Sequence, residues 1–218
     1  MPSPDHHAAR VRLFRNETLE RLTIMTPRTF ALFWSLALPA IAWAGWGAVS
    51  GLTGMALVAG GLGLWTLFEY AMHRYLFHLR SDLPPVRALI FLMHGNHHDD
   101  PGDPLRGLMP LPASLPIAGL VWLTLYLLAG AAGTWIFLGF VAGYVLYDVV
   151  HFACHQWDMG GPLGTMLKRH HMRHHFVDHD RNFAITAIWW DRVFGSQITT
   201  LRGTSAKRAQ RPSGSAKS

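Results

Sequence analysis

Residues Gly107 to His155 read GLMPLPASLPIAGLVWLTLYLLAGAAGTWIFLGFVAGYVLYDVVHFACH. The first 41 of them, 107–147, hold no Asp, Glu, Lys or Arg. A single helix of that length would be about 60 Å long, roughly twice the hydrocarbon thickness of a bilayer. The run therefore reads as two crossings joined by a tight turn, with Gly130 to Gly133 supplying the small residues. Residues 29–68 repeat the pattern: 40 positions without a charged side chain, with Gly45 to Gly54 at the turn. The expected fold is all-α, with four transmembrane helices in two hairpins, near 30–50, 52–68, 113–128 and 135–150. Pro39 is expected to kink the first.

All 19 Lys and Arg and all 13 acids fall in the remaining segments 1–28, 69–106 and 148–218. Two hairpins put those three segments on one side, and the positive-inside rule makes that side cytoplasmic, both termini included. The formal charge of +6 then suits anionic headgroups, with no nucleic-acid partner expected. A lone Cys154 excludes an internal disulfide framework and a thiolate-rich metal site. Residues 1–28 carry five arginines and no apolar core, so they do not read as a signal peptide. They are expected to form a cytoplasmic segment with an interfacial amphipathic helix over Val11–Leu22, and His6 and His7 read as solvated. Residues 29–200 form the membrane and catalytic domain, and 201–218 a disordered basic tail. Enrichment in Ala, Gly, Arg and Pro points to a GC-rich bacterial genome, hence an inner membrane.

The charged segments also hold the histidines. In K-R-H-H-M-R-H-H-F, Lys168 to Phe176, His171, His174 and His175 lie at i, i+3 and i+4 and share one helical face. His94, His97 and His98 repeat that spacing, and the pairs His73/His78 and His151/His155 complete the set. Ten of 14 histidines thus sit in four clusters at the ends of apolar runs. Imidazole is the commonest metal ligand. Ten exceed what one tetrahedral zinc needs and suit two ions, each with about five ligands and room for an exogenous one. His73 and His78 stand about 140° apart on a straight helix. Either the helix unwinds after Tyr75 or each serves a different ion. Glu69, one turn before His73, and Asp148, three residues before His151, are placed to accept a ligand's other N–H and set its tautomer. His170 and His179, flanking the last cluster, are weaker candidates for the same support.

Four motifs carry a resemblance: E-Y-A-M-H-R-Y-L-F-H (69–78), M-H-G-N-H-H-D-D-P (93–101), G-Y-V-L-Y-D-V-V-H-F-A-C-H (143–155) and H-H-M-R-H-H-F (170–176). Together with N-F-A-I-T-A-I-W-W-D-R-V-F-G (182–195), they make the chain similar to the fatty acid hydroxylase and sterol desaturase superfamily, and within it to the fatty acid 2-hydroxylases. The resemblance implies a cytoplasmic helical cap on a four-helix membrane base. It implies a dinuclear, all-histidine centre whose ligands are His73, His78, His94, His97, His98, His151, His155, His171, His174 and His175. It further implies two iron ions, replaceable by zinc in isolated protein, and O2-dependent hydroxylation of a fatty acyl substrate. Eukaryotic 2-hydroxylases commonly carry a cytochrome b5 domain before the membrane part, for which 28 residues are too few. A separate electron donor of cytochrome b5, ferredoxin or reductase type is therefore expected. The alternatives are a sterol, carotenoid or ornithine-lipid oxygenase of the same superfamily. In a different class stands a non-catalytic metal-binding or transport membrane protein, which would need its ligands near the bilayer midplane.

Overall fold

Gly61 and Gly139 mark where two helical hairpins meet. A Cβ on Gly61 would lie 2.0 Å from the Ile136 carbonyl oxygen, and one on Gly139 would lie 2.0 Å from that of Val58. Only glycine admits such an approach of two helix backbones, the small-residue contact of apolar helix pairs. The computed structural model of the protein describes residues 12–199.

The first hairpin joins α2 (Pro27–Ala44) to α3 (Gly51–Ala71). Thr26 and Ser50 cap these helices by accepting from the amides of Thr29 and Thr53. The second joins α6 (Leu111–Ala129) to α7 (Gly133–Gln156), α6 ending at Gly130 with φ 59°. Trp135 Nε1 donates to the Gly45 carbonyl at 2.8 Å, so the turns of both hairpins lie at one end. The central α7 packs on α3, α6 and α2. Aromatic rings fill the α3–α7 seam: Trp65 lies 5.0 Å from Phe140 and 5.5 Å from both Tyr144 and Tyr147. Such edge contacts contribute about 0.5–1.5 kcal/mol each beyond the area they bury. Outward, Leu36, Leu52, Leu120 and Leu127 are exposed. Two stretches, Gly51–Phe77 and Leu111–Gln156, are long and apolar enough to cross a membrane. The second of them contains both α6 and α7.

At the opposite end α3 runs on into a π-helical segment, Met72–Phe77, and α7 continues as α-helix to Gln156. Short helices cover this end: α4 (Pro84–Ile90), a π-helical segment Phe91–Gly95, α5 (Asn96–Asp99), α8 (Gly161–Phe176) and α9 (Trp189–Val193). Among the described residues there is no β-strand.

The N-terminal helix, α1, spans Glu17–Leu22 and not 11–22. Asn16 Oδ1 accepts from the amides of Thr18 (2.9 Å) and Leu19 (3.1 Å), which starts the helix there. Val11, His6, His7 and the tail 201–218 lie outside the described residues.

Candidate metal centre

The π-helical segment resolves the spacing of His73 and His78. A π-helix closes i→i+5 hydrogen bonds, so a residue five positions on returns to the same face. The His78 amide donates to the His73 carbonyl at 3.2 Å, and the two rings lie 5.0 Å apart. The helix widens here and does not unwind.

All ten clustered histidines converge, in two groups of five. His73, His78, His94, His98 and His174 form the first; His97, His151, His155, His171 and His175 form the second. Within each, the potential ligand nitrogens lie within 4.8 Å of one another. Each triplet is divided between groups. His94 and His98, one turn apart, enter the first group, while His97 enters the second. On α8 the division reverses, with His171 and His175 in the second and His174 in the first.

The donor atoms fit a metal ion. In the first group Nε2 atoms approach at 3.0 Å (His73–His94), 2.9 Å (His94–His98) and 3.2 Å (His98–His174). In the second the spacings are 3.2 Å (His97–His155), 2.8 Å (His155–His171) and 3.1 Å (His171–His175). With a metal–nitrogen bond of about 2.1 Å, ligands 90° apart stand about 3.0 Å from one another and tetrahedral ones about 3.4 Å. The observed spacings match the five- or six-coordinate case. His78 Nε2 and His151 Nε2 are buried with no hydrogen-bond partner among the described residues, which a coordinated ion would supply.

Outer nitrogens set the tautomers. Nδ1–H of His73 donates to the Phe183 carbonyl (2.5 Å), that of His151 to Gly107 (3.1 Å) and that of His174 to Arg181 (2.7 Å). The Nε2 lone pairs then face inward. Burial, and then neighbouring imidazoles, hold His94, His97, His171 and His174 well below the ordinary 6.5. Burial also pushes His78 to about 4 and His98 to about 3. At neutral pH these rings are uncharged, the form that binds metal.

The chain is similar to known proteins. Residues 58–196 match the family model described as fatty acid hydroxylase. The chain belongs to the fatty acid hydroxylase family. It is 38% identical over 151 residues to dihydroceramide fatty acyl 2-hydroxylase FAH2 of Arabidopsis thaliana, covering 69% of this chain and 62% of that protein. It is 33% identical over 196 residues to FAH1 of the same plant, covering 87% and 81%. The human fatty acid 2-hydroxylase is 42% identical over 139 residues, covering 60% and 36%. A solved structure of full-length scs7p, in which the hydroxylase domain is visible, superposes with a TM-score of 0.79 at 31% identity, covering 85% of this chain and 71% of that one. With the apolar helices, the family makes the chain a membrane protein, and the histidine groups suit a metal site.

In this fatty acid hydroxylase fold Glu69 and Asp148 are buried but bond to loops and not to imidazoles. Glu69 Oε1 accepts from the amides of Ile185 and Thr186, both at 2.8 Å, and Oε2 from the Thr186 hydroxyl. Asp148 Oδ2 accepts from the Met109 amide (3.0 Å) and the Tyr144 hydroxyl (2.9 Å). His170 Nε2 lies 2.9 Å from Asp191 Oδ2, and His179 Nδ1 lies 2.9 Å from Nδ1 of His98.

Asp191 carries a role that sequence reading did not assign. Fully buried, it accepts from the amides of Phe183 and Ala184 (both 2.9 Å) and from the Ser196 hydroxyl (2.7 Å). It thereby folds the 182–196 segment over α8 and aims the Phe183 carbonyl at His73. A single carboxylate directly after N-F-A-I-T-A-I-W-W was the available signal. The orienting carbonyls of Gly107, Arg181 and Phe183 have none, because every residue owns a carbonyl.

Two cavities near the histidines share part of their walls. One is a half-open cavity of about 540 Å³, its open mouth included, between α3, α6 and α7, with walls including Trp65, Phe68, Ile117 and Phe140. The other, of about 450 Å³, is lined by polar groups that include His94, His97 and His151. Phe77, Met109 and Tyr147 line both. Tyr147 also stacks on His151, with ring centroids 6.0 Å apart and planes 4° from parallel.

Proposed function

We propose that this chain is an integral-membrane lipid hydroxylase that places a hydroxyl group on carbon 2 of a fatty acyl chain. The observation that carries this reading is the pair of five-imidazole groups, free of carboxylates, set beside an apolar cavity. Family membership and the names of the relatives, which are acyl and fatty acid 2-hydroxylases, support it. The chain spans 62% of the length of FAH2 and 36% of that of the human protein.

The ten histidines would hold two irons, which supply the activation of O2 for insertion of one oxygen atom into a C–H bond, the other leaving as water with two electrons and two protons from outside. Zinc binds such nitrogens without redox chemistry, so zinc-loaded protein is expected to be inactive. The remaining work belongs to the chain. The 540 Å³ cavity takes the acyl tail, whose apolar walls exclude water. Phe77, Met109 and Tyr147, shared by both cavities, position the carboxyl end of the acyl chain against the histidines. The Phe183, Gly107 and Arg181 carbonyls keep three imidazoles in the Nδ1–H tautomer. Electrons come from a separate cytochrome b5-, ferredoxin- or reductase-like protein.

The proposed topology has α2, α3, α6 and α7 as four crossings, with both termini and the histidines cytoplasmic. The joint position of the hairpin turns, opposite the histidines, supports it. Residues 1–28 form the N-terminal segment, 29–200 the hydroxylase domain and 201–218 the tail. The relatives named above come from a plant and an animal, so a bacterial inner membrane rests on composition alone.

Expression of the iron-loaded protein with a reductant should yield an acyl lipid heavier by one oxygen, its hydroxyl located on carbon 2 by fragmentation mass spectrometry. His97→Ala and His174→Ala should abolish it. Hydroxylation persisting in either variant would refute the ligand assignment. In sealed vesicles, protease should cut 69–106 and the C-terminus from one face; cleavage from opposite faces would reject the topology.

A further inference from the structure

We propose that residues 13–25 are a working part of the metal centre. A buried Glu20–Arg106 pair positions the loop that orients His151, and so the second group of imidazoles retains its metal only while that pair is intact. This inference rests on the metal reading above and extends it to a segment that the family match, which starts at residue 58, does not include.

Glu20 belongs to the short helix α1, where an acid is expected to face water. Instead Glu20 is 6% exposed and Arg106 8%. Arg106 Nη2 donates to Glu20 Oε1 at 2.6 Å and Nη1 to the Thr23 hydroxyl at 3.0 Å. Glu20 Oε2 accepts from the amides of Leu13 (3.0 Å) and Phe14 (2.9 Å), which folds the incoming chain back onto the pair. The Met25 amide donates to the Leu105 carbonyl at 2.9 Å. Asp103 adds a second carboxylate 3.4 Å from Arg106 Nε, and its Oδ1 accepts from the Leu105 amide at 2.9 Å. Burying these charges is costly unless each stays paired, so loss of one partner disturbs the whole loop and not one contact.

The next residue along is Gly107, whose carbonyl accepts from His151 Nδ1 at 3.1 Å. The loop is therefore gripped from two sides. Thr23, Glu20 and Met25 hold it from the N-terminal segment. From α7, His151, Asp148 at the Met109 amide and Gln156 at the Gly102 carbonyl (3.0 Å) hold the other side. Thr23 and Arg106 line the same 450 Å³ cavity as His97 and His151. Among the described residues, these bonds lead to His151 of the second group, whereas His94 of the first group shares only the cavity wall. Glu20 and Arg106 are thus positioning residues for one of two sites.

The test uses the full chain in detergent, loaded with iron or with Co(II), comparing wild type, Glu20→Gln, Glu20→Ala and the reference variant His151→Ala. Wild type should hold about two metals per chain, and Glu20→Ala should retain the second about 10–100-fold more weakly under chelator competition, falling toward one. Its residual Co(II) spectrum should match that of His151→Ala. Glu20→Gln, which keeps an acceptor oxygen, should fall between, and it serves if the alanine variant does not fold. Two metals with a wild-type spectrum in both Glu20 variants would overturn the clasp. So would parallel loss of both metals, the mark of general loosening. A wild type that holds fewer than two metals would instead sink the metal reading, and the clasp with it.

Discussion

Asp148 and His151, three residues apart on α7, grip one loop at points two residues apart. His151 Nδ1 donates to the Gly107 carbonyl at 3.1 Å, and Asp148 Oδ2 accepts the Met109 amide at 3.0 Å. Glu69 on α3 and His73 on its π-helical continuation repeat the device: His73 donates to the Phe183 carbonyl (2.5 Å) and Glu69 accepts the Ile185 amide (2.8 Å). Each carboxylate stands about one turn before its histidine and bonds an amide of the loop whose carbonyl that histidine faces.

Asp148→Asn should therefore weaken metal retention in the second group, and Glu69→Gln in the first, each by about 10–100-fold. Chelator competition followed by metal counting reads this out. Unchanged retention in both variants would show that the two carboxylates only stabilise the fold.

His97 and His98 are adjacent yet enter different groups. Alanine at either should remove one metal and leave the other, with different residual Co(II) spectra, while hydroxylation fails in both. Identical spectra would mean that the ten imidazoles serve a single site.

The metal-free protein should lose stability as pH falls. Unfolded imidazoles bind protons near 6.5, whereas burial holds His78 at about 4 and His98 at about 3 in the folded chain. Between those values the unfolded chain binds more protons, so stability drops as pH falls from about 6.5 toward 3, while above 6.5 these groups have no effect. Protons compete for the same nitrogens, so metal loss has the same sign. The thermal midpoint of chelator-stripped protein should be flat above neutral pH and fall below it; a midpoint rising on acidification would contradict the burial of these rings.

The helical class, the pairing of long apolar helices and the ten converging histidines were all legible from one strand of text. Hydropathy runs and the helical period are local properties, written within a few turns of chain. His171, His174 and His175 advertise themselves by spacing alone. The division of that triplet between two sites does not, because it depends on which neighbours arrive from 76 or more positions away, such as His94 and His98 beside His174.

By itself the sequence determined which residues are available and which helix faces carry them. The tertiary structure decided their partition, the π-helical widening that brings His78 over His73, and the partners of the buried charges. Glu20 meets Arg106, and His170 meets Asp191, only after the chain has closed on itself. The reason is physical: a carboxylate's partner is set by distance in space, and sequence separation carries no record of that distance until the helices have packed.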